Sequence, residues 1–421
     1  MRVLLSAYAC EPDMGSEPGV GWNWVRQISR FHEVWVITRA NNRQPIEKAL
    51  AKNPVPRAHW VYFDLPRWAS FWKIGQRGVR AYYHLWQLGA YFAARKLHRE
   101  VRFDLCHHVT FVNYWMPSFL ALMPVPFVWG PVGGGESAPR TFWRSFCFRG
   151  KVYEVLRHLA RSLGQLGPFV RLTARQAALA FATTQETQRR LNGLGCRRVS
   201  VLSEAGLRSE EINDLGRIPP RRRGPLRVLT LGRLLHWKGF DLGLRAFALF
   251  KQRFPSSEYW IVGDGPERSR LQKLAGTLGL ADGVTFWGAL PRPAALERLA
   301  ECDGLLHPSL HDSGGWVCLE AMAAGRPVIC LDLGGPALQV TEESGIKVPA
   351  LSPEQAVRDL ADALQKLASD PELRGRLSYG ARKRVEEHFN WDKKGLFMAK
   401  LYEELPTGQE GMSATVFAQR S

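Results

Sequence analysis

The sequence predicts an α/β protein built from two similar halves. Its 421 residues exceed what one hydrophobic core usually serves, so two domains of about 200 residues are expected. Near the N-terminus, an apolar run at 2–8 is followed by a glycine-containing loop, a helical segment and a second apolar run at 33–38. An apolar run at 226–231 restarts the same alternation. This pattern predicts strands flanked by helices in each half.

The composition narrows the classes of partner and compartment. The chain carries 57 Lys and Arg against 39 Asp and Glu, a formal net charge of +18. Such a surplus indicates an anionic partner, which can be a nucleic acid, an anionic membrane surface or a phosphorylated substrate. The seven cysteines are scattered and form no C-x-x-C pair, so we expect reduced thiols in a cytoplasmic protein rather than a disulfide or zinc framework. No apolar run reaches the roughly 18 residues of a membrane span.

The first half begins with a strand and a loop suited to ligand binding. Because a glycine-containing loop follows the short apolar start, we interpret residues 2–8 as a buried strand and not as a lipoprotein signal peptide. The loop contains Gly15 and leads into a helix, which is where such folds bind phosphate groups. Its glycines do not form G-x-G-x-x-G, so a nicotinamide or flavin site is disfavoured, and a plain turn is the alternative. Further strands are predicted at 104–109, 126–129, 177–183 and 199–202.

Residues 65–103 combine aromatic and basic side chains, with Glu100 as the only acid. At helical spacing, this composition predicts an amphipathic helix lying on an anionic membrane. The alternative is a helix packed on the sheet with a solvated, charged outer face. A second basic segment at 140–161 favours the membrane alternative, and both stay open from the sequence.

Two further features follow strands of the first half. His108 ends one strand and is either a site imidazole or a structural histidine. The glycine run at 133–135 follows another strand and allows the backbone at Gly134 to approach a ligand closely. Glu136 comes next and is a candidate contact for an acceptor hydroxyl, or a general base.

The second half carries two basic residues behind a strand. Before it, residues 206–224 contain a proline pair and an arginine run, a composition typical of a linker. The strand at 226–231 ends at Gly232, and Arg233 and Lys238 follow in the next loop. A forked cation and a point cation beside a glycine suit a diphosphate. Further strands are predicted at 260–264, 284–290 and 328–333, a turn at 334–336 and a helical region at 353–388.

The stretch at 304–327 is the most informative part of the chain. An apolar run ends at His307, a loop with Asp312 and two glycines follows, and a segment of helix composition begins at Trp316. A strand, a glycine-bearing turn and a helix start together form an anion site, because free N–H groups and the positive helix end face the ligand. Asp312 and Glu320 flank this site, eight residues apart. Their carboxylates suit hydroxyl groups, since they only accept hydrogen bonds when ionised.

These motifs support a family resemblance. The segment Asp312-x7-Glu320, followed by EAMAAGRPV, resembles the E-x7-E segment of the retaining glycosyltransferases of family 4, the group 1 glycosyltransferases. The patterns GRL…KGFD…AF and VGDGPE resemble the same family. The resemblance is strong over 226–333 and loose over 1–205. This chain departs from the family where Asp312 replaces Glu, where Gly130 or Pro131 replaces a histidine, and where Leu338 replaces a Glu.

The resemblance implies the GT-B fold, an α/β architecture of two Rossmann-like domains facing each other across a cleft. It also implies a division of the chain into five parts. These are an N-terminal acceptor-binding domain (1–205), a linker (206–224), a C-terminal nucleotide-sugar-binding domain (225–385), a helix crossing back to the first domain (386–405) and a loose tail (406–421).

The resemblance further implies roles for the candidate site residues. Arg233 and Lys238 bind the donor diphosphate, Glu320 holds the ribose hydroxyls, and Asp312 holds hydroxyls of the donor sugar. The other donor contacts are expected at Gly15, Gly232, Gly263, Asp264, Leu290, Gly314, Gly315, Trp316 and Val317. The acceptor side is expected to include His108, Gly134 and Glu136.

The implied activity is transfer of a sugar, with retention of configuration, from a nucleoside-diphosphate sugar to a glycan or lipid-linked acceptor. Bacterial surface-polysaccharide or glycolipid assembly is the expected pathway. We expect no metal, no other cofactor and no nucleic acid partner, in a cytoplasmic protein that can associate with the inner face of the membrane. An inverting transferase of the same fold is one alternative, and a phosphorylase is disfavoured because no pyridoxal-lysine context is evident. A catalytically weak scaffold serving as a basic membrane or nucleic-acid adaptor is the other alternative.

Overall fold

The computed structural model describes residues 1–72, 78–221 and 224–405. Two compact units divide these residues. The first contains Met1–Gly135, Arg157–Glu204 and the described residues that follow Asn390, and the second contains Glu136–Leu156 and Ala205–Asn390. The predicted loose tail at 406–421 lies outside the described residues, as do residues 73–77 and 222–223.

Each unit is built on one parallel sheet. The first sheet has the order β3-β2-β1-β4-β5-β6-β7, and the second has the order β10-β9-β8-β11-β12-β13. The strands of the first sheet are β1 (Arg2–Ser6), β2 (Glu33–Thr38), β3 (Ala58–Tyr62), β4 (Leu105–His108), β5 (Phe127–Val132), β6 (Ala177–Ala182) and β7 (Val199–Val201). Those of the second are β8 (Arg227–Leu231), β9 (Glu258–Val262), β10 (Val284–Gly288), β11 (Gly304–His307), β12 (Val328–Leu331) and β13 (Gly345–Val348).

Helices connect the strands, as parallel pairing requires. The first eight are α1 (Ser16–Ile28), α2 (Arg43–Lys52), α3 (Arg67–Ser70), α4 (Val79–Val101), α5 (Phe148–Leu166), α6 (Pro168–Gln176), α7 (Gln185–Leu194) and α8 (Ser209–Gly216). The others are α9 (Phe240–Lys251), α10 (Arg268–Thr277), α11 (Arg292–Ala300), α12 (Trp316–Ala323), α13 (Gly334–Gln339), α14 (Pro353–Ser369), α15 (Pro371–His388) and α16 (Trp391–Glu404).

The strand order of the second unit determines where a ligand can bind. From β8, the chain adds β9 and β10 on one side and then returns to add β11, β12 and β13 on the other. The switch therefore lies between β8 and β11, where Leu229 pairs with Leu305. In open α/β sheets, ligands bind beyond the carboxyl ends of the strands at such a switch point.

Several predicted elements differ from the observed ones. The sequence did not predict strands β3 and β13. Residues 334–336, which were predicted as a turn, form the start of α13. The helical region predicted at 353–388 is two helices, because Asp370 caps α15 by accepting a hydrogen bond from the Leu373 N–H at 2.8 Å, and Pro371 follows it. Helix α8 lies within residues predicted as a linker.

The basic-aromatic segment at 65–103 contains a long helix with two different faces. One face of α4 buries Tyr82, Tyr83 and Trp86 in the core of the first unit. The opposite face exposes Leu85 and Phe92 among arginine and lysine side chains. The helix therefore packs on the sheet, and its outer face keeps the composition that suggested a membrane surface. Among the described residues, no helix is long and apolar enough to cross a membrane.

Two buried histidines at the end of β4 make the first unit sensitive to acid. The Nε2 of His107 donates to the carbonyl of Gly130 at 2.6 Å, and the Nε2 of His108 lies 2.9 Å from the hydroxyl of Tyr83. Burial lowers the pKa of each imidazole to about 3. Both are therefore neutral in the folded protein at pH values where the unfolded chain binds protons.

We expect the free energy of unfolding to fall as the pH drops below about 6.5, the pKa of an unfolded histidine. A folded pKa below the unfolded one stabilises the protein above the unfolded pKa and loses that stabilisation as protons bind the unfolded chain. Each of the two histidines should account for roughly 1 kcal/mol between about pH 7.5 and about pH 5.5. Urea titrations at both pH values measure this difference. The exposed-residue variant His84→Gln should keep it, and a pH-independent stability would contradict the prediction.

Candidate functional site

The loop after β8 is held against the loop after β11. Gly239 caps α9 with a φ of 66°, and a Cβ atom there would lie 1.9 Å from the carbonyl oxygen of Pro308. The N–H of Leu310 donates to the carbonyl of Trp237 at 2.8 Å. Only glycine combines this backbone conformation with so close an approach. The two loops that carry the predicted cations and the predicted acid therefore form one surface.

Lys238 and Asp312 form an ion pair at the centre of this surface. Lys238 Nζ lies 2.5 Å from Asp312 Oδ2, and both side chains are mostly buried. The other carboxylate oxygen of Asp312 accepts from the Gly315 N–H at 3.3 Å, and His307 Nε2 lies 3.3 Å from Oδ2. Burial opposes ionisation of Asp312, but Lys238 and His307 outweigh it and hold the pKa of the carboxyl well below its usual range. Asp312 is therefore an ionised acceptor paired with a cation.

The start of α12 faces the same surface. Gly315 caps the helix with a φ of 55°, and Trp316 is its first residue. Gln339 Nε2 donates to the carbonyl of Gly314 at 2.5 Å, and a Cβ at Gly315 would lie 2.8 Å from Gln339 Oε1. The N–H of Gly335 also donates to the carbonyl of Asp312, at 2.7 Å. The loop is thus fixed from α13, so that the positive end of α12 has a defined direction.

Arg233 and Glu320 differ in how much of each side chain is exposed to solvent. Arg233 is exposed and has no ion-pair partner among the described residues. Glu320, in contrast, is mostly buried, and its Oε1 lies 2.8 Å from Arg292 Nε. Arg292 also contacts Glu211 at 2.9 Å. Burial raises the pKa of Glu320, and the attraction of Arg292 opposes that rise. Arg233 is available to an incoming anion, whereas Glu320 is held in place by a neighbouring cation.

Sequence reasoning did not identify Arg292. It is the first residue of α11 and follows the GAL turn at 288–290. Its role depends on the fold bringing α11 beside α12, and no local motif indicates that contact. The same holds for Gln339, whose amide supports the glycines of the loop after β11.

Three other predicted donor residues have more peripheral positions in the second unit. Gly263 has a φ of 140°, and a Cβ there would lie 1.9 Å from the carbonyl oxygen of Gly232. This glycine therefore serves the contact between the ends of β8 and β9. Asp264 is exposed and lies 3.5 Å from Arg268 in an ion pair. Leu290 packs against the core of this unit.

The residues predicted for the acceptor side have mainly structural contacts. His108 is buried against Tyr83 and Gln87, which favours the structural alternative for this histidine. A Cβ at Gly134 would lie 2.3 Å from the Trp115 ring, so close packing within the first unit requires glycine there. Glu136 is buried in the second unit. Gly15, which was predicted as a donor contact, is exposed at the N-terminus of α1 in the first unit.

A buried cluster behind the two loops was not predicted. Glu154 of α5 is completely buried, and its Oε1 lies 3.3 Å from His236 Nε2 and 3.2 Å from His311 Nε2. His236 belongs to the loop after β8, and His311 to the loop after β11. The ring of Trp237 stacks on His311 with centroids 5.0 Å apart. One buried acid therefore contacts both loops.

The fold defines the class of this protein. The solved sucrose-phosphate synthase of Thermosynechococcus elongatus is similar over 97% of this chain and 100% of that chain, with a TM-score of 0.66 and 19% sequence identity. This likeness confirms the predicted fold class. The chain has the GT-B fold, an α/β architecture with two Rossmann-like units.

The sequence comparisons then show which family the chain resembles. Residues 213–384 match the family Glycosyl transferases group 1. An alpha-D-kanosaminyltransferase of Streptomyces kanamyceticus is 30% identical over 250 residues, covering 56% of this chain and 62% of that relative. A lipopolysaccharide core biosynthesis glycosyltransferase of Rhizobium meliloti is 34% identical over 163 residues, covering 39% and 45%. The predicted resemblance to group 1 glycosyltransferases is therefore confirmed, and the family number 4 stays a prediction.

These matches cover only part of each protein. The chain spans about half the length of the curated relatives it matches, at 62% and 45%. The matched region contains the loops after β8 and β11, with Lys238, Asp312 and Glu320. The similarity therefore centres on the unit that carries the candidate site.

Proposed function

We propose that this protein transfers a glycosyl group from a nucleoside-diphosphate sugar to a glycan or lipid-linked acceptor, with retention of anomeric configuration. The observation that carries the proposal is the surface formed by Arg233, Lys238 and the start of α12. It combines an exposed arginine, a lysine already held beside a carboxylate, and a positive helix end at a strand-order switch. A diphosphate matches this arrangement of positive charge.

The proposed chemistry depends on stabilising a leaving group. As the bond between the sugar C1 and the phosphate oxygen breaks, negative charge grows on the departing nucleoside diphosphate. Arg233, Lys238 and the N–H groups at the start of α12 lower the barrier by neutralising that charge. The acceptor oxygen bonds to C1 on the same face, and its proton passes to the departing phosphate oxygen. No protein base is then required for the proton.

The carboxylates have binding roles in this proposal. Asp312 remains ionised at neutral pH and accepts from hydroxyls of the donor sugar, while Lys238 turns toward the diphosphate. Glu320 accepts from the ribose hydroxyls, and Arg292 holds its carboxylate in position through the 2.8 Å contact. The second unit thus binds the donor, and the first unit binds the acceptor.

We place the protein in the cytoplasm, in bacterial surface-polysaccharide or glycolipid assembly, on the inner face of an anionic membrane. All seven cysteines are free thiols, which agrees with a reducing compartment. The net charge of +18 and the outer face of α4 support attraction to anionic lipids. The named activity of the Rhizobium meliloti relative supports a lipopolysaccharide-type pathway.

The donor half of this proposal can be tested by thermal unfolding. We expect at least one nucleoside diphosphate to raise the unfolding midpoint, because a ligand that binds only the folded state stabilises it by mass action. A ligand at about 100 times its Kd stabilises by about 2.7 kcal/mol. The nucleotide that stabilises most then selects the sugar donors for a transfer assay, in which NMR of the product anomer tests retention. A chain stabilised by no nucleoside diphosphate would support the adaptor alternative instead.

A further inference from the structure

Helix α5 exposes a continuous apolar stripe. It has 19 residues and is about 28 Å long. Large apolar side chains recur along it at intervals of three and four residues, so that they share one face. Their exposed fractions run from 41% to 80%. The stripe, as we call this face, consists of Phe148, Val152, Val155, Leu156, Leu159, Leu163 and Leu166.

The opposite face of α5 is polar and buried. Gly150, Glu154 and Arg161 point away from the stripe, and Glu154 and Arg161 are at most 2% exposed. A surface helix of a soluble protein normally buries its apolar side and exposes its polar side. Here the polarity is reversed, since the large apolar groups face outward while Glu154 and Arg161 face inward. A contiguous exposed apolar face of this kind marks an interaction surface.

The charges around the stripe are basic, which indicates an anionic partner. Arg149 and Lys151 are exposed next to Phe148, and the remaining charged residues of the helix are also basic apart from Glu154. Glu154 is buried, so the accessible surface of α5 is apolar and positive. A bilayer of anionic lipids provides an apolar interior beneath a negative surface, which complements both properties. Two copies pairing through this face would bring like charges together.

We propose that α5 is an interfacial helix, which inserts its stripe into the headgroup region of an anionic bilayer. This inference deepens the proposed function and rests on it for the membrane setting. It names α5, rather than α4 alone, as the element that contacts lipid. Aromatic and aliphatic groups of the stripe enter the apolar layer, while Arg149 and Lys151 remain with the phosphates.

The inner face of the same helix links the bilayer to the candidate site. Glu154 contacts His236 and His311, which belong to the loops after β8 and β11. Tyr153 stacks on Trp237 with ring centroids 5.0 Å apart, and Gly150 packs against the His236 ring. Both loops therefore use the first turns of α5 as a support. Seating α5 on a bilayer restrains these loops, so we infer that anionic lipid increases glycosyl transfer.

Vesicle flotation tests the lipid contact without requiring activity. The wild-type protein should float at low salt with vesicles of phosphatidylcholine and phosphatidylglycerol. The variant L156Q/L159Q/L163Q changes no charge and alters side chains that are 54% to 61% exposed, so it should stay folded. We expect it to lose about tenfold or more of its partitioning. A matched variant on α4, L85Q/L88Q/F92Q, separates the two candidate surfaces.

Each outcome of this experiment decides the inference. Flotation that survives the α5 substitutions, or that is lost only with the α4 substitutions, would overturn it. A lipid-independent dimer that the α5 substitutions dissolve would identify a second copy as the partner and overturn it as well. Nucleotide stabilisation measured without lipid should be equal in all three proteins. If the proposed glycosyl transfer is wrong, nucleotides should stabilise none of the three proteins. The flotation result would still test the lipid contact by itself.

Discussion

Replacing Lys238 with alanine is expected to lower glycosyl transfer by about 100- to 1,000-fold, the loss seen when one preorganised group is removed from a developing anion. Lys238 lies beside Asp312, whose other carboxylate oxygen accepts from the N–H of Gly315 at the start of α12. No other described lysine has that position. The effect should appear in the rate of the chemical step at saturating donor. Single-turnover transfer, with the sugar donor selected by thermal stabilisation, measures it.

The same substitution should also affect folding, in a way that can be separated from catalysis. Asp312 would lose the partner that keeps its carboxyl ionised, which costs roughly 1–3 kcal/mol for a mostly buried charged group. Lys238→Arg keeps the positive charge, so it should restore most of the stability and only part of the rate. Lys273→Ala removes an exposed lysine of α10 and should change neither. Wild-type turnover in a folded Lys238→Ala protein would remove Lys238 from the mechanism.

The contrast between two parts of the site shows what the sequence could predict. Arg233, Lys238 and Asp312 were recognisable because strand ends and glycine loops have local signatures. The direct contact between Lys238 and Asp312 was not, because 74 residues separate them and only the adjacent placement of β8 and β11 joins their loops. Local patterns predict which loops bind, and sheet order decides which of their side chains meet.

Burial was the other property that the sequence could not supply. His108 was correctly placed at the end of a strand, but its hydrogen bonds to Tyr83 and Gln87 form because α4, the helix just before that strand, folds back over it. The strand β3 was not predicted, because it is an edge strand whose five residues, AHWVY, are only partly buried and form no long apolar run. Such contacts depend on how the elements pack, which local sequence patterns do not specify.

Helix α5 is the clearest case of a misleading local pattern. Residues 140–161 were noted for basic charge, and their apolar spacing is that of an ordinary core-facing helix. In the structure this apolar face is exposed, and Glu154 contacts two histidines on the inner side of the helix. A periodic pattern shows that one face is apolar, but not which side of the helix the fold covers.

Gly239→Ala is expected to destabilise the protein strongly, because the added methyl group meets both a backbone cost and a steric clash. Its φ of 66° already disfavours an alanine by about 1–2 kcal/mol. In addition, the new Cβ would lie 1.9 Å from the carbonyl oxygen of Pro308, so the loops after β8 and β11 must separate. We expect a total loss of more than about 3 kcal/mol in the free energy of unfolding.

Comparison with a second glycine separates the backbone cost from the steric cost. Gly279 has a φ of 68°, and a Cβ there would meet nothing within 4 Å. Gly279→Ala therefore carries the backbone cost alone, about 1–2 kcal/mol. Because a displacement of about 1 Å costs roughly 100-fold in rate, Gly239→Ala should also lose donor binding and transfer at temperatures where it stays folded. Gly279→Ala should keep both. Equal behaviour of the two variants, measured by urea unfolding and by nucleotide stabilisation, would show that contact between the two loops does not hold Lys238 and Asp312 together.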